Sequence, residues 1–107
     1  MIPDKRVEQA LGYLAETDEQ YGQLRGHVSA LDYQIKIAEA EAYLDAEGTV
    51  GEKQAQARTS QVYRDKVNEY KDAKIELETI AAIRKRNELI IEVWRTMSSN
   101  RRTGMIT

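Results

Sequence analysis

The sequence predicts an all-α fold: an antiparallel, coiled-coil-like hairpin of two long helices, joined through a short linking helix and assembled as an oligomer. Three observations lead to this prediction. Pro3 is the only proline, so no later position forbids an uninterrupted helix. Ala, Glu, Lys, Gln, Arg and Leu dominate the composition, as they do in long helices and coiled coils. A junction with two glycines, residues 47–52, divides the chain near its middle.

Composition and charge limit the class of protein. A chain of 107 residues predicts a single helical domain, residues 1–107. The absence of cysteine excludes a disulfide scaffold and a thiolate metal site. We expect a cytoplasmic protein, since the sequence has neither a secretory leader nor an apolar run of membrane-spanning length. The net charge of −2 combines an acidic first half with a basic second half, which favours contact between the halves or with a polyanion.

The first helix is predicted over residues 5–46, with Asp4 as its N-terminal cap. At about 1.5 Å per residue it would be roughly 60 Å long. Core positions recur every seven residues without a slip, which is typical of a coiled-coil seam. The first core position holds Val7, Leu14, Tyr21, Val28, Ile35 and Ala42, and the second holds Ala10, Thr17, Leu24, Leu31 and Ala38.

Two features of this helix leave alternatives open. Thr17 and Gln20 have the spacing of a capping box, which would restart the helix at that point. Small residues also follow one side of the helix, away from the seam: Gly12, Ala15, Gly22, Gly26 and Ala30. Such a strip allows another helix to approach closely, or it is a flexible, solvated face.

The junction carries signals for a helix end and two helix starts. In the loop 47–51, Gly48 suits the left-handed residue that closes a helix. Thr49 and Glu52 form a capping box for a short helix over residues 52–58. Ser60 then caps a second long helix, residues 61–100, and residues 101–107 are predicted to fray. Pairing of the long helices about this junction would place Val7 near Glu92.

The second long helix is apolar on nearly all sides over residues 80–97, which we call the C-terminal apolar block. A helix of this kind is buried on several sides. A two-helix hairpin is too thin to provide that cover, so we predict self-association, with Ile83, Ile90 and Met97 left uncovered by the first helix. The predicted oligomer interface consists of Tyr63, Ile80, Ile83, Ile90, Ile91, Trp94 and Met97.

Positive charge surrounds the same block. The candidate nucleic-acid-binding residues are Arg84, Lys85, Arg86, Arg95, Arg101 and Arg102. Such a set neutralises several phosphates, and Tyr63, Tyr70 or Trp94 would stack on the bases of a single strand. The alternative is that these cations complement the helix dipole and that the aromatic residues belong to the core.

No motif in the sequence indicates an enzyme. His27 is the only histidine and has no partner at metal-ligand spacing. The carboxylate pairs lie in charged helical segments that offer no desolvated pocket, and no phosphate-binding glycine loop is present. We therefore expect no catalytic residues, no metal and no cofactor.

The string from Glu41 to Tyr63, with its central Glu-Gly-Thr-Val, resembles the middle of small helical proteins encoded by bacteriophages, and Ile91-Glu-Val-Trp-Arg95 resembles the end of their last helix. More distantly, the layout is similar to phage recombination mediators of the UvsY type. The resemblance implies an oligomer in the host cytoplasm that binds single-stranded DNA and assists a recombinase, with that recombinase or a single-strand-binding protein as partner.

A different function is open on the residues alone. The acidic first helix is suited to a protein-interaction module, such as an inhibitor of a host defence complex or a structural adaptor. In that case Glu39, Glu41, Asp45 and Glu47 would imitate a nucleic-acid backbone and occupy a basic groove.

Overall fold

The chain folds into three helices, α1 (Asp4–Asp45), α2 (Val50–Thr59) and α3 (Gln61–Ile106), in a computed structural model. The structure describes the backbone of residues 2–106 and the side chains of residues 2–102. No strand occurs among these residues, and the two long helices pack against each other. The all-α prediction and the pairing of two long helices are therefore confirmed.

Helix α1 runs without interruption, so the alternative of a restart at Thr17 is wrong. The Thr17 hydroxyl donates to the carbonyl of Tyr13 at 2.7 Å, within the helix that a capping box would have ended. Seam packing compensates for the glycines, because Val28 and Leu31 are buried on the other side of the helix. No atom outside the local helix lies within 4 Å of a Cβ built at Gly22 or Gly26.

The start of α1 differs from the prediction by one residue. Asp4 is the first helical residue and not the cap. The carbonyl of Pro3 accepts the backbone N–H groups of Arg6 at 2.9 Å and Val7 at 3.4 Å. The Asp4 carboxylate is thereby left available for a partner on α3.

The caps predicted at the junction are present. Gly48 has a φ of +119°, the left-handed conformation that favours glycine. The Thr49 hydroxyl accepts the N–H of Glu52 at 3.2 Å, and α2 begins at Val50, two residues earlier than expected. The Ser60 hydroxyl accepts the N–H of Tyr63 at 3.4 Å as α3 begins.

The described chain divides into two compact units. The first unit contains Met1–Gly22 and Glu78–Thr107, and the second contains Gln23–Leu77. Every buried residue of α1 lies at a heptad position, namely Val7, Ala10, Val28, Leu31 and Ala38, as the seam predicts. On the other helices the buried residues are Ala57, Ala73, Leu77 and Asn87.

In the first unit α1 and α3 are antiparallel. Trp94 reaches Asp4 and Arg84 reaches Leu14, close to the register that sets Val7 against Glu92. Helix α3 continues to Ile106, beyond residue 100 where the sequence predicts its end and a frayed tail. The remainder of that prediction, at Thr107 and for the side chains of residues 103–107, lies outside the described residues.

In the second unit α2 lies beside the last turns of α1. Arg58 pairs with Glu39 at 3.2 Å, and the Lys53 ammonium lies 5.7 Å from the centre of the Tyr43 ring. Both contacts are on the same side of α1, which fixes where α2 packs. None of the described helices has a stretch apolar and long enough to cross a bilayer.

Candidate nucleic-acid and interaction surfaces

Arg84, the first of the predicted phosphate ligands, is occupied inside the first unit. Its guanidinium donates to the Leu14 carbonyl at 3.0 Å, the Thr17 hydroxyl at 2.7 Å and the Asp18 carboxylate at 2.6 Å. The Arg84 Cζ atom lies 4.8 Å from the centre of the Tyr21 ring, and its side chain is 13% exposed. A guanidinium with these partners holds α3 against α1 and has few donors left for a phosphate.

The other basic candidates are exposed. Lys85 and Arg86 lie on the side of α3 that faces away from α1, and Arg95 borders a groove lined by Leu11 and Ile91. None of the exposed set pairs with a carboxylate among residues 2–102. The set consists of Lys85, Arg86, Arg95, Arg101 and Arg102.

The excess of positive charge is local to this stretch. Residues 85–102 hold five basic and two acidic side chains, the latter being Glu88 and Glu92. At about 1.5 Å per residue this segment covers roughly 26 Å of α3. This segment is therefore a short stretch of exposed positive charge, a feature suited to polyanions in general and not to the reading of bases.

Trp94 has a structural partner as well. Its indole N–H donates to the Asp4 carboxylate at 3.1 Å, and its ring is half-buried in the first unit. Trp94 therefore belongs to the packing between α1 and α3. Its ring does not form an open platform for a base.

The other predicted interface residues are half-buried within the single chain. This holds for Tyr63 in the second unit and for Ile80 and Ile91 in the first. It also holds for Ile83, Ile90 and Met97, which the sequence predicted to be uncovered. Neighbours three and four residues away on the same helix cover part of such side chains.

Two residues missing from the predicted interface are the most exposed large apolar side chains of the C-terminal apolar block. Leu89 is 47% exposed and Val93 is 46% exposed. Both lie on the side of α3 opposite the seam, beside Arg86. Their position around the helix, measured from the seam, would have identified them in the sequence. The high apolar content of the whole block does not distinguish them.

The carboxylates proposed for a protein partner differ in their surroundings. Glu39 is paired with Arg58. Glu41 and Asp45 are exposed and line a groove with Ala42 and Val62 in the second unit. Glu47 is also exposed, and its backbone carbonyl accepts from the Gln56 amide at 2.8 Å.

Among the described residues, no three His, Asp or Glu side chains come together as metal ligands. His27 is exposed on α1. No buried side-chain N or O atom in the same part of the chain lacks a hydrogen-bond partner. Comparison with protein-family models, with curated proteins and with solved structures found no match for this chain.

Proposed function

We propose that this chain binds single-stranded DNA non-specifically, as an oligomer, and acts as a phage accessory factor that assists a recombinase in recombination or replication. The observation that carries the proposal is the exposed cationic set Lys85, Arg86, Arg95, Arg101 and Arg102, which has no carboxylate partner among residues 2–102. Exposed, unpaired cations along one short segment supply the counterion release that drives binding to a polyanion.

The mode of binding follows from the groups that are free. Trp94 is committed to Asp4 and Arg84 to Asp18, so neither adds stacking or phosphate contacts. Affinity therefore comes from five side chains that contact phosphate through charge. Binding of this type tolerates any base sequence and weakens steeply with salt.

Assembly strengthens a surface of this size. One copy offers a local balance of +3 over residues 85–102. When several linked copies bind one strand, each copy after the first binds it intramolecularly, and the overall affinity exceeds that of a single copy. The exposed apolar side chains of Leu89 and Val93 lie among these cations and provide a surface for such assembly.

Fluorescence anisotropy of a labelled single strand tests the proposal. We expect binding at about 50 mM salt and a steep loss by about 200 mM. Each phosphate contact to a single strand adds about 0.7 to the slope of log K against log salt, so five contacts give a slope of about −3.5 per copy. Absence of binding at the lower salt concentration would contradict the proposal.

A pair of matched variants locates the surface. Arg101→Gln/Arg102→Gln removes two cations from the set and is expected to flatten the slope by about 1.4 per copy. Arg64→Gln/Lys71→Gln removes two exposed cations of α3 in the second unit and changes the net charge equally. Equal losses from the two variants would show that net charge alone, and not this surface, attracts the DNA.

The protein-interaction module is the second candidate, supported by the exposed carboxylates Glu41, Asp45 and Glu47 in the second unit. Reversal of these three charges would abolish capture of a basic partner and leave the affinity for DNA unchanged or raised. Glu39 is left out of this test, because its loss would also break the contact with Arg58.

A further inference from the structure

Helix α1 carries a second row of apolar and small side chains, on the side opposite the seam. All of its members are exposed, and all belong to the second unit. Tyr33 is 66% exposed, Ile37 41% and Leu44 80%. We call this row the outer stripe of α1, and it consists of Gly26, Ala30, Tyr33, Ile37, Ala40 and Leu44.

The spacing of the outer stripe is that of a coiled coil. Successive members are four, three, four, three and four residues apart, so they follow one line along the helix. Packing within the chain does not explain this row. The seam that faces the chain's own helices uses other heptad positions, including the buried Val28, Leu31 and Ala38. A second apolar row at heptad spacing, opposite the first, favours a second helical partner on that side.

The chain's own α2 does not cover the outer stripe. Its Arg58 and Lys53 contact Glu39 and Tyr43, which lie to one side of the row. Gln54 of α2 borders a groove with Ala40 and Leu44 but leaves both exposed. The space beside Gly26 is open, with no atom outside the local helix within 4 Å of a built Cβ. Leu44, at the other end of the row, is the most exposed large apolar side chain among those described.

We propose that the outer stripe binds the outer stripe of a second copy in antiparallel orientation. A two-fold axis at the level of Ile35 places Leu44, the most exposed large apolar side chain of the row, against the opening left by Gly26. In this register each contact pairs residues whose numbers add to 70. The pairs are Gly26 with the partner's Leu44, Ala30 with the partner's Ala40, and Tyr33 with the partner's Ile37, each occurring twice.

Size complementarity favours this arrangement over a parallel one. In a parallel pair Gly26 would face Gly26 and leave a gap, while Leu44 would face Leu44 and Tyr33 would face Tyr33. Close packing without voids distinguishes a specific helix pair from a loose one. The antiparallel register also brings His27 near the partner's Glu41 at the edge of the stripe, and both side chains are exposed.

The dimer is independent of the proposed DNA surface. The outer stripe lies in the second unit, and the cationic set lies in the first. Loss of the dimer would therefore reduce the number of linked DNA-binding surfaces without removing any cation. If the chain proves not to dimerise through the outer stripe, the anisotropy test of DNA binding still stands. If the chain proves not to bind DNA, the test of the dimer still stands.

Disulfide trapping tests the interface and its register. The chain contains no cysteine, so any thiols are those introduced. The double variant Gly26→Cys/Leu44→Cys is expected to form a covalent dimer under mild oxidation, detected on a non-reducing gel. In the proposed register two copies of position 26 are about 27 Å apart along the helix, far beyond disulfide reach. The single variants Gly26→Cys and Leu44→Cys should therefore remain uncrosslinked.

Each outcome decides the proposal. A crosslinked double variant with uncrosslinked single variants supports it. Absence of crosslinking in the double variant overturns it, and so does efficient crosslinking of either single variant, which would indicate a parallel pair. Circular dichroism on the reduced proteins verifies that each variant remains helical, and a second double variant, Tyr33→Cys/Ile37→Cys, replaces any that does not. We expect this central pair to crosslink as well.

A variant with introduced charges tests the same interface without introducing cysteine. Tyr33→Glu/Ile37→Glu places four carboxylates at the centre of the proposed dimer. The molecular mass measured by sedimentation is expected to fall at least twofold. Val62→Glu/Asn68→Glu adds the same two negative charges at exposed positions of α3 in the second unit and serves as its control. Equal masses for the parent chain and the Tyr33 and Ile37 variant would also overturn the proposal.

Discussion

The guanidinium of Arg84 on α3 donates to the carboxylate of Asp18 on α1 at 2.6 Å, and the same group also bonds Leu14 and Thr17. We predict that Arg84→Met lowers the free energy of unfolding by about 1–3 kcal/mol, because it leaves these acceptors without their donor. Asp18→Asn should cost under about 1 kcal/mol, since the Asp18 side chain is 67% exposed. Urea denaturation followed by circular dichroism measures both.

Lys85→Met is the control for this prediction. It removes one positive charge from the adjacent, exposed position and is expected to change stability by less than about 0.5 kcal/mol. If Arg84→Met and Lys85→Met behaved alike, the network around Arg84 would have no structural role.

The hydrogen bond between Trp94 and Asp4 should be visible in solution. We predict that the indole N–H proton of Trp94, the only tryptophan, exchanges slowly with solvent and that Asp4→Ala accelerates this exchange. Nuclear magnetic resonance follows the proton directly. Glu8→Ala removes an exposed carboxylate one turn further along α1 and should leave its exchange rate unchanged.

The two glycines of the junction should respond to alanine in opposite ways. Gly48→Ala is expected to destabilise the chain by about 1–2 kcal/mol, because its φ is positive and the new Cβ would lie 3.2 Å from the Glu52 Cβ. Gly51 lies inside α2 with open space around it, so Gly51→Ala should stabilise by up to about 1 kcal/mol. Thermal melts of the two variants should therefore shift to opposite sides of the parent value.

The exposed part of the C-terminal apolar block should mediate assembly. We predict that Leu89→Glu/Val93→Glu lowers the mass measured by sedimentation velocity, because charges introduced there oppose burial between copies. Val62→Glu alters a side chain of α3 in the second unit that is 56% exposed and should leave the mass unchanged. A single mass for all three proteins at every concentration would count against assembly through this block.

Periodicity predicted the helices and the seam because burial repeats with the helical turn. All five buried residues of α1 lie at the heptad positions read from the sequence. The caps at Thr49 and Ser60 were also predictable, since each depends on a hydroxyl a few residues from the N–H it accepts. Local chemistry of this kind does not require knowledge of the partner helix.

Long-range partners were not predictable in the same way. In the sequence, Arg84 is simply one of three consecutive cations. Only the position of α1 distinguishes it from its exposed neighbours Lys85 and Arg86. Likewise, nothing local to Thr17 indicates that its hydroxyl bonds Tyr13 and Arg84 and does not cap a new helix. The interpretation of the small residues in α1 had a related limit, since the row that contains Gly26 and Ala30 emerges only when Tyr33, Ile37 and Leu44 are known to be exposed.

The contact between Asp4 and Trp94 has a practical consequence for any binding measurement. Chain added before Pro3 would emerge next to the turn of α3 that carries Arg95. A polyhistidine tag at the amino end is partly protonated near neutral pH and would therefore add some positive charge beside the surface under study. Affinities for DNA should be compared on protein from which such a tag has been cleaved.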